Sequence, residues 1–312
     1  MELWTTYPVT DVGCEPETLR TFAQGVEDAG YAGMLLSEHV LGVDPAQRPG
    51  WRPYNPFVEG PGDPVYDHTH PFLDPFVAFG FLASVTRRIR LGTGVMVLGM
   101  RQAPLVAKQA AIADVLTGGR IMLGVGSGWN DVEYEAMGVD FHSRGKRIDE
   151  QIALLRALWT QGTVDFQGRW HTVKGAGINP PPVQRPIPLW IGGTAAAAVR
   201  RAALLGDGYY PGGLADDAGA ARLERMRALA REAGRDPDAI SIMGAVTQGP
   251  REPERLVRGV EKWQRLGATH CTVRTSTHPI VWRADLPQAE RSASAGRYLD
   301  ALRRFKAAWD NR

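Results

Sequence analysis

The sequence predicts a (β/α)8 TIM barrel, a cylinder of eight parallel strands each followed by a helix, and three observations predict it. Short apolar runs rich in β-branched residues alternate with longer amphipathic segments, which is the signature of βαβ units and a parallel sheet. Counting gives eight strands, near 2–7, 31–37, 89–97, 120–126, 187–192, 207–211, 240–246 and 269–275, and eight helices, near 16–29, 74–86, 104–117, 143–160, 194–205, 216–233, 252–266 and 290–308. Two glycine-rich corners, Gly124-Val125-Gly126-Ser127-Gly128-Trp129-Asn130 and Trp190-Ile191-Gly192-Gly193-Thr194, stand where a strand gives way to a helix.

The elements follow in order. The first helix places Leu19, Phe22, Ala23 and Val26 at helical spacing and stops at Gly30. The third strand carries Gly92, Thr93 and Gly94 in its middle, which expects either a bulge where a flat ligand approaches the backbone or close packing on a neighbouring strand. The fourth helix repeats the apolar spacing through Ile152, Leu155 and Leu158. Two insertions break the alternation. Residues 40–73, after the second strand, are full of Pro, Gly and aromatics; residues 162–186, before the fifth, read as a hairpin around Gln167-Gly168 followed by Pro180-Pro181-Pro182. Loops of that length in a compact domain are expected to be functional covers. The first of them leaves its strand at the C-terminal face, where barrel active sites lie. The whole span 1–312 is read as one domain.

Composition excludes several function classes. With 312 residues, 44% hydrophobic and 22% charged, the chain has ample material for a buried core. Its 36 basic and 34 acidic residues are spread without a basic run, so neither nucleic acid nor a membrane surface is an expected partner. The N-terminal Met1-Glu2-Leu3-Trp4 has no basic region followed by an apolar one, and no long uncharged apolar stretch follows, which expects a cytoplasmic location. Cys14 and Cys271 follow neither metal nor redox spacing.

Both glycine corners point to the barrel mouth and offer bare backbone N–H groups at a helix start, where amide donors and the helix dipole hold an anion. A phosphorylated ligand is the first expectation, with Gly126, Ser127, Gly128, Gly192, Gly193 and Thr194 as the contacts; tight turns and close helix–strand packing are the plain alternative. Neither corner fits a dinucleotide fingerprint, since Trp129 falls where the last glycine would be, and neither is a P-loop. His39 follows Glu38 at the end of the second strand, so an imidazole able to move a proton near neutral pH sits at the mouth; Glu38, on the opposite strand face, is either a catalytic partner or a buried, paired group. Asp67-His68-Thr69-His70 has an H-x-H spacing seen in metal sites but no distal ligands to complete one, and no metal is expected. Trp51, Tyr54, Phe57, Trp129 and Trp282 should overhang the mouth as an apolar substrate pocket, with Arg101 and Arg274 supplying positive charge.

Taken together, Ser37-Glu38-His39-Val40, Leu91-Gly92-Thr93-Gly94-Val95, Arg101-Gln102-Ala103-Pro104, the run from Gly118 to Asn130, Glu135-Ala136-Met137-Gly138-Val139, and Trp190-Ile191-Gly192-Gly193 with Gly206-Asp207-Gly208 resemble the luciferase-like monooxygenase superfamily, and more closely its branch of deazaflavin (coenzyme F420)-dependent oxidoreductases. The resemblance runs from about residue 30 to residue 211. It implies a barrel that holds F420 or a flavin at the mouth with the phosphate at Gly192, Gly193 and Thr194. It also implies a non-prolyl cis peptide at Gly94–Val95 backing the ring, His39 near the reactive ring carbon, and Asn130 touching the cofactor. One departure bears on the substrate: sugar-phosphate dehydrogenases of this branch carry Glu where this chain has Trp129, so an apolar or aromatic substrate is expected instead.

The leading expectation is therefore hydride transfer between F420 and a small organic substrate, with His39 giving or taking the proton. The alternative is a flavin mononucleotide (FMN) monooxygenase using dioxygen. A barrel that binds its ligand without turnover, and a metal hydrolase built on His68 and His70, are the readings from other classes. A homodimer and a separate enzyme that reduces the cofactor are the expected partners.

Overall fold

The computed structural model describes residues 1–55, 60–62, 64–247, 253–274 and 288–312. Eight parallel strands form a closed ring: β1 (Glu2–Thr6), β2 (Gly33–Leu36), β3 (Arg90–Thr93), β4 (Ile121–Gly126), β5 (Leu189–Gly192), β6 (Gly208–Tyr210), β7 (Ser241–Thr247) and β8 (His270–Arg274). Each pairs with the next, β4 joins β5 through Leu123↔Leu189, and β8 closes on β1 through Glu2↔His270. The helices α1 (Pro16–Asp28), α2 (Pro75–Val85), α3 (Ala103–Thr117), α4 (Arg144–Thr160), α5 (Ala196–Leu205), α6 (Asp217–Glu232), α7 (Pro253–Arg265) and α8 (Gln288–Asp310) alternate with them, as the periodicity predicts.

Strand alternation produces two cores. Leu3, Met34, Leu123, Leu189, Ile191 and Ile242 point outward into the large layer between strands and helices. Their neighbours Trp4, Leu35, Met122, Trp190 and Met243 point inward and, with Tyr210, fill the cylinder. Bulk is balanced by absence of bulk one strand over. Gly33 pairs with Trp4 and a Cβ there would lie 2.3 Å from its indole; Gly208 stands in the same relation to Trp190.

The long segment after β2 lies along a short helix, Asp131–Ala136, at the mouth: Trp51 Nε1 donates to Asp131 Oδ1 (2.9 Å) and Arg48 to Glu135 (3.0 Å). The insertion before β5 is the expected hairpin, Val164–Gln167 with Thr172–Ala176, but it docks on the outer helix α4, where Glu150 accepts from the backbone N–H groups of Arg169, Trp170 and His171. Both cysteines are free thiols. No described helix is long and apolar enough to cross a membrane.

Candidate active site

The third strand breaks where its small residues predict. The Gly94–Val95 peptide is cis, and the strand resumes as Met96–Val97 beside β4. Two ties hold the break against β2: Gly94 N donates to Leu36 O (2.8 Å), and the Val97 amide donates to Glu38 Oε2 (2.7 Å). The bulge turns Val95 into the space left by two glycines, since a Cβ on Gly126 or Gly192 would lie 2.8 or 2.6 Å from its methyls.

Glu38 and His39, consecutive at the end of β2, have opposite surroundings because successive residues of an extended chain face opposite sides. Glu38 is 2% exposed. Beyond Val97, its carboxylate accepts from Arg101 Nε (2.6 Å) and Nη2, and Arg101 continues to Asp74 (3.0 Å), which caps α2. Burial pushes the Glu38 carboxyl upward, while the Arg101 guanidinium and the Val97 amide pull it down. The pair Glu38–Arg101 thus pins β2, the broken β3 and α2 together, with every polar atom of the carboxylate engaged inside the protein.

His39 faces the mouth. Its ring lies against Tyr66 (centroids 4.1 Å), Phe72 (5.0 Å) and Trp129 (5.5 Å), the last two edge-on. Nδ1 is 3.0 Å from Glu133 Oε2 and 2.7 Å from the Tyr66 hydroxyl; Nε2 makes no hydrogen bond among the described residues. Glu133, only 1% exposed at its side chain, also accepts from Val40 N (2.6 Å) and Leu41 N (3.2 Å). Tyr66 donates to Leu41 O (3.0 Å) and accepts from Asn130 Nδ2 (2.9 Å). Burial pushes its phenol far up, so the hydroxyl stays protonated.

Sequence reasoning missed Glu133, Tyr66 and Phe72. A signal for Glu133 existed: Asn130-x-x-Glu133 has the spacing of a capping box, in which the acid turns back to the helix start. Asn130 does cap the short helix, accepting from Val132 N (3.1 Å), but Glu133 reaches across to the chain after β2 instead. Asn130 is 2% exposed, with both side-chain polar atoms hydrogen-bonded within the protein.

The remaining expected residues lie as follows. Gly193 is exposed at φ +126°, a conformation suited to glycine, and the following helix α5 begins with no capping side chain. Gly128, at φ +65°, leaves room for Val97; the Ser127 carbonyl accepts from Tyr134 (2.7 Å). Trp129 is half-buried beside His39, Trp51 is held by Asp131, Tyr54 is exposed in a two-residue strand pair, and Arg274 on β8 donates to the Tyr210 hydroxyl. Trp282 and Phe57 lie outside the described residues. His70 turns back on Asp67 (3.0 Å), and no group of three metal-ligating side chains occurs among the described residues.

This barrel, with a cis peptide in its third strand and an imidazole at its mouth, is that of the luciferase-like oxidoreductases. The luciferase-like monooxygenase family model matches residues 5–304, and the chain belongs to that family. Among its relatives is the F420-dependent glucose-6-phosphate dehydrogenase of Nocardia farcinica (strain IFM 10152), 32% identical over 238 residues that cover 70% of each chain. Two solved structures share the fold. The F420-dependent secondary alcohol dehydrogenase in complex with an F420-acetone adduct has a TM-score of 0.70 at 16% identity, covering 88% of this chain and 92% of that one. The monooxygenase RslO1 from Streptomyces bottropensis has a TM-score of 0.69 at 17% identity, covering 96% and 98%. Deazaflavin-dependent dehydrogenases and monooxygenases thus both stand among the proteins this chain resembles.

Proposed function

We propose that this protein is an F420-dependent oxidoreductase acting on a small apolar or aromatic molecule, with His39 as the group that gives or takes the proton. The observation that carries this reading is the state of His39: Nδ1 is engaged by Glu133 and Tyr66, Nε2 makes no hydrogen bond among the described residues, and the ring stands in an aromatic enclosure at the mouth.

The residues present fit a flat heterocycle with a phosphate tail. The uncapped N-terminus of α5 behind Gly193 and Thr194 offers unpaired amide donors and the positive end of a helix dipole to the phosphate. Val95, seated between Gly126 and Gly192 against the inner cluster, would supply a shelf for the ring, with the backbone of Gly126, Ser127 and Gly128 following on. When bound, F420 would supply hydride exchange at a ring carbon. The chain's own part is to orient that ring, to exclude water with Trp129, Phe72 and Tyr66, and to hold or accept a proton at His39 Nε2. Trp129 beside His39 favours an apolar substrate face, and we assign Trp51, held to Asp131 two residues on, and the exposed Tyr54 to its extension. Arg101 is committed to Glu38 and Asp74, and Arg274 is bonded to Tyr210, so neither is assigned to the substrate.

An FMN-dependent monooxygenase is the second reading, favoured by the family's description and by the fact that the same shelf and helix terminus suit a flavin phosphate. Titrating the apo-protein separately with F420 and FMN tests the choice: micromolar binding of F420 is expected, and binding of FMN alone overturns the reading. With a panel of aryl ketones and alcohols, His39→Ala should keep F420 affinity while turnover falls about 10²–10⁴-fold, the range for a lost general acid or base. Unchanged turnover removes His39 from the chemistry. A cytoplasmic, homodimeric enzyme whose cofactor is reduced by a separate enzyme completes the proposal.

A further inference from the structure

We propose that Glu133 is a positioning residue that keeps the His39 proton on Nδ1 and so presents Nε2 as the atom that exchanges a proton at the mouth. The inference rests on the reading of His39 given above and extends it to a residue that touches neither substrate nor cofactor.

The hydrogen bonds favour one arrangement. Glu133 Oε1 already accepts from two backbone amides, Val40 N at 2.6 Å and Leu41 N at 3.2 Å. Its other oxygen, 3.0 Å from His39 Nδ1, is a carboxylate acceptor. The second neighbour of Nδ1 adapts to the ring. Tyr66 has one proton, for which Leu41 O (3.0 Å) and Nδ1 (2.7 Å) compete; with a proton on Nδ1 it goes to Leu41 O, and the phenolic oxygen accepts from Nδ1 and from Asn130 Nδ2. A bare Nδ1 would hold its lone pair against the Glu133 carboxylate at 3.0 Å. The proton therefore sits on Nδ1, and the neutral ring's lone pair on Nε2, the nitrogen left without a partner among the described residues.

The scaffold around Glu133 gives this arrangement rigidity. Its carboxylate is almost wholly buried, and its helix is capped by Asn130, whose amide also donates to Tyr66. Two side chains, Glu133 from the corner after β4 and Tyr66 from the loop after β2, thus converge on one imidazole nitrogen. A carboxylate at Nδ1 also stabilises the ring when Nε2 takes up a proton, so the same contact serves both directions of proton transfer.

The glutamine variant turns this into a test that needs no cofactor. In Glu133→Gln, the side-chain oxygen can keep the Val40 and Leu41 amides, which orients the amide NH2 toward Nδ1. That neighbour donates, and the Tyr66 hydroxyl can turn its proton from Leu41 O to the bared Nδ1, so the favoured proton position moves to Nε2. Nitrogen-15 histidine NMR of the protein, with the His39 signals assigned by their loss in His39→Ala, reads the tautomer directly. The wild type should show Nδ1–H, Glu133→Gln should show Nε2–H, and its turnover should fall at least tenfold with F420 affinity within about threefold. A wild-type ring protonated at Nε2 overturns the inference whether or not the variant folds, and so does a folded Glu133→Gln protein that keeps Nδ1–H. If the tautomer inverts while turnover is unchanged in both Glu133→Gln and His39→Ala, the positioning stands and the catalytic role of His39 fails.

Discussion

The two glycine-rich corners look alike in the sequence and are built for different purposes. At the first, glycine is needed for packing. Gly124 faces the Thr93 carbonyl, where a Cβ would lie 2.1 Å from the oxygen, while Gly126 and Gly128 make room for Val95 and Val97. The helix that follows is closed by the Asn130 side chain. At the second, Gly192 also makes room for Val95 and the Gly193 amide donates to Tyr210 O (3.2 Å), but Gly193 is exposed, its missing side chain would meet only Ala198 at 3.1 Å, and the next helix has no side-chain cap at its start. One corner accommodates the broken third strand; the other leads into a helix whose first amides no side chain caps. The uncapped helix start, rather than the glycines themselves, is what recommends the second corner as the proposed phosphate site.

That contrast breaks most sharply at Gly124. Adding a methyl group there drives it into backbone rather than into a flexible side chain, at the place where Thr93 Oγ1 donates to Gly124 O (2.6 Å) and carries the sheet across the kink. Gly124→Ala should destabilise the fold by about 3 kcal/mol, the upper part of the usual overpacking range. Chemical denaturation with the m-value checked for constancy measures it. A loss below about 0.5 kcal/mol would mean the corner has slack, and the glycines there would need another explanation.

The same contrast marks how far the sequence could be read. Strands and helices were legible because period two and period 3.6 leave different apolar patterns, and because this fold repeats them eight times; Trp4, Met122 and Trp190 pointing inward follow from alternation alone. His39 was legible because a strand end in a barrel is a fixed address. Its partners were not. Tyr66 and Phe72 sit in a segment with no periodicity, so nothing local says which aromatic of that stretch reaches the imidazole. Glu133 was hidden by a sufficient local explanation, the capping spacing from Asn130, which tertiary structure sets aside. Glu38 reads in the sequence as either a catalytic partner or a buried, paired group and Arg101 as positive charge for the pocket; the third strand's kink, which brings Val97 and Arg101 onto the Glu38 carboxylate, decides for the pair. Chemistry carried by one element shows in the sequence, whereas chemistry shared among three elements does not.

At the second corner the smallest change is the most telling. Thr194 is half-buried, precedes the uncapped start of α5, and its methyl would stand 3.5 Å from a Cβ on Gly212, an ordinary contact. Removing its hydroxyl opens no core cavity, so Thr194→Ala should leave stability within about 0.5 kcal/mol, as at other sites away from the core. If the hydroxyl joins the backbone amides in holding a phosphate, its loss removes one hydrogen bond to a charged group, about 1.5 kcal/mol, which weakens F420 binding roughly tenfold. Isothermal titration of the wild type and the variant, with thermal melts alongside, separates the two quantities. A changed affinity on an unchanged melt places the phosphate at this corner; equal affinity moves it elsewhere on the rim and leaves both glycine corners as packing devices.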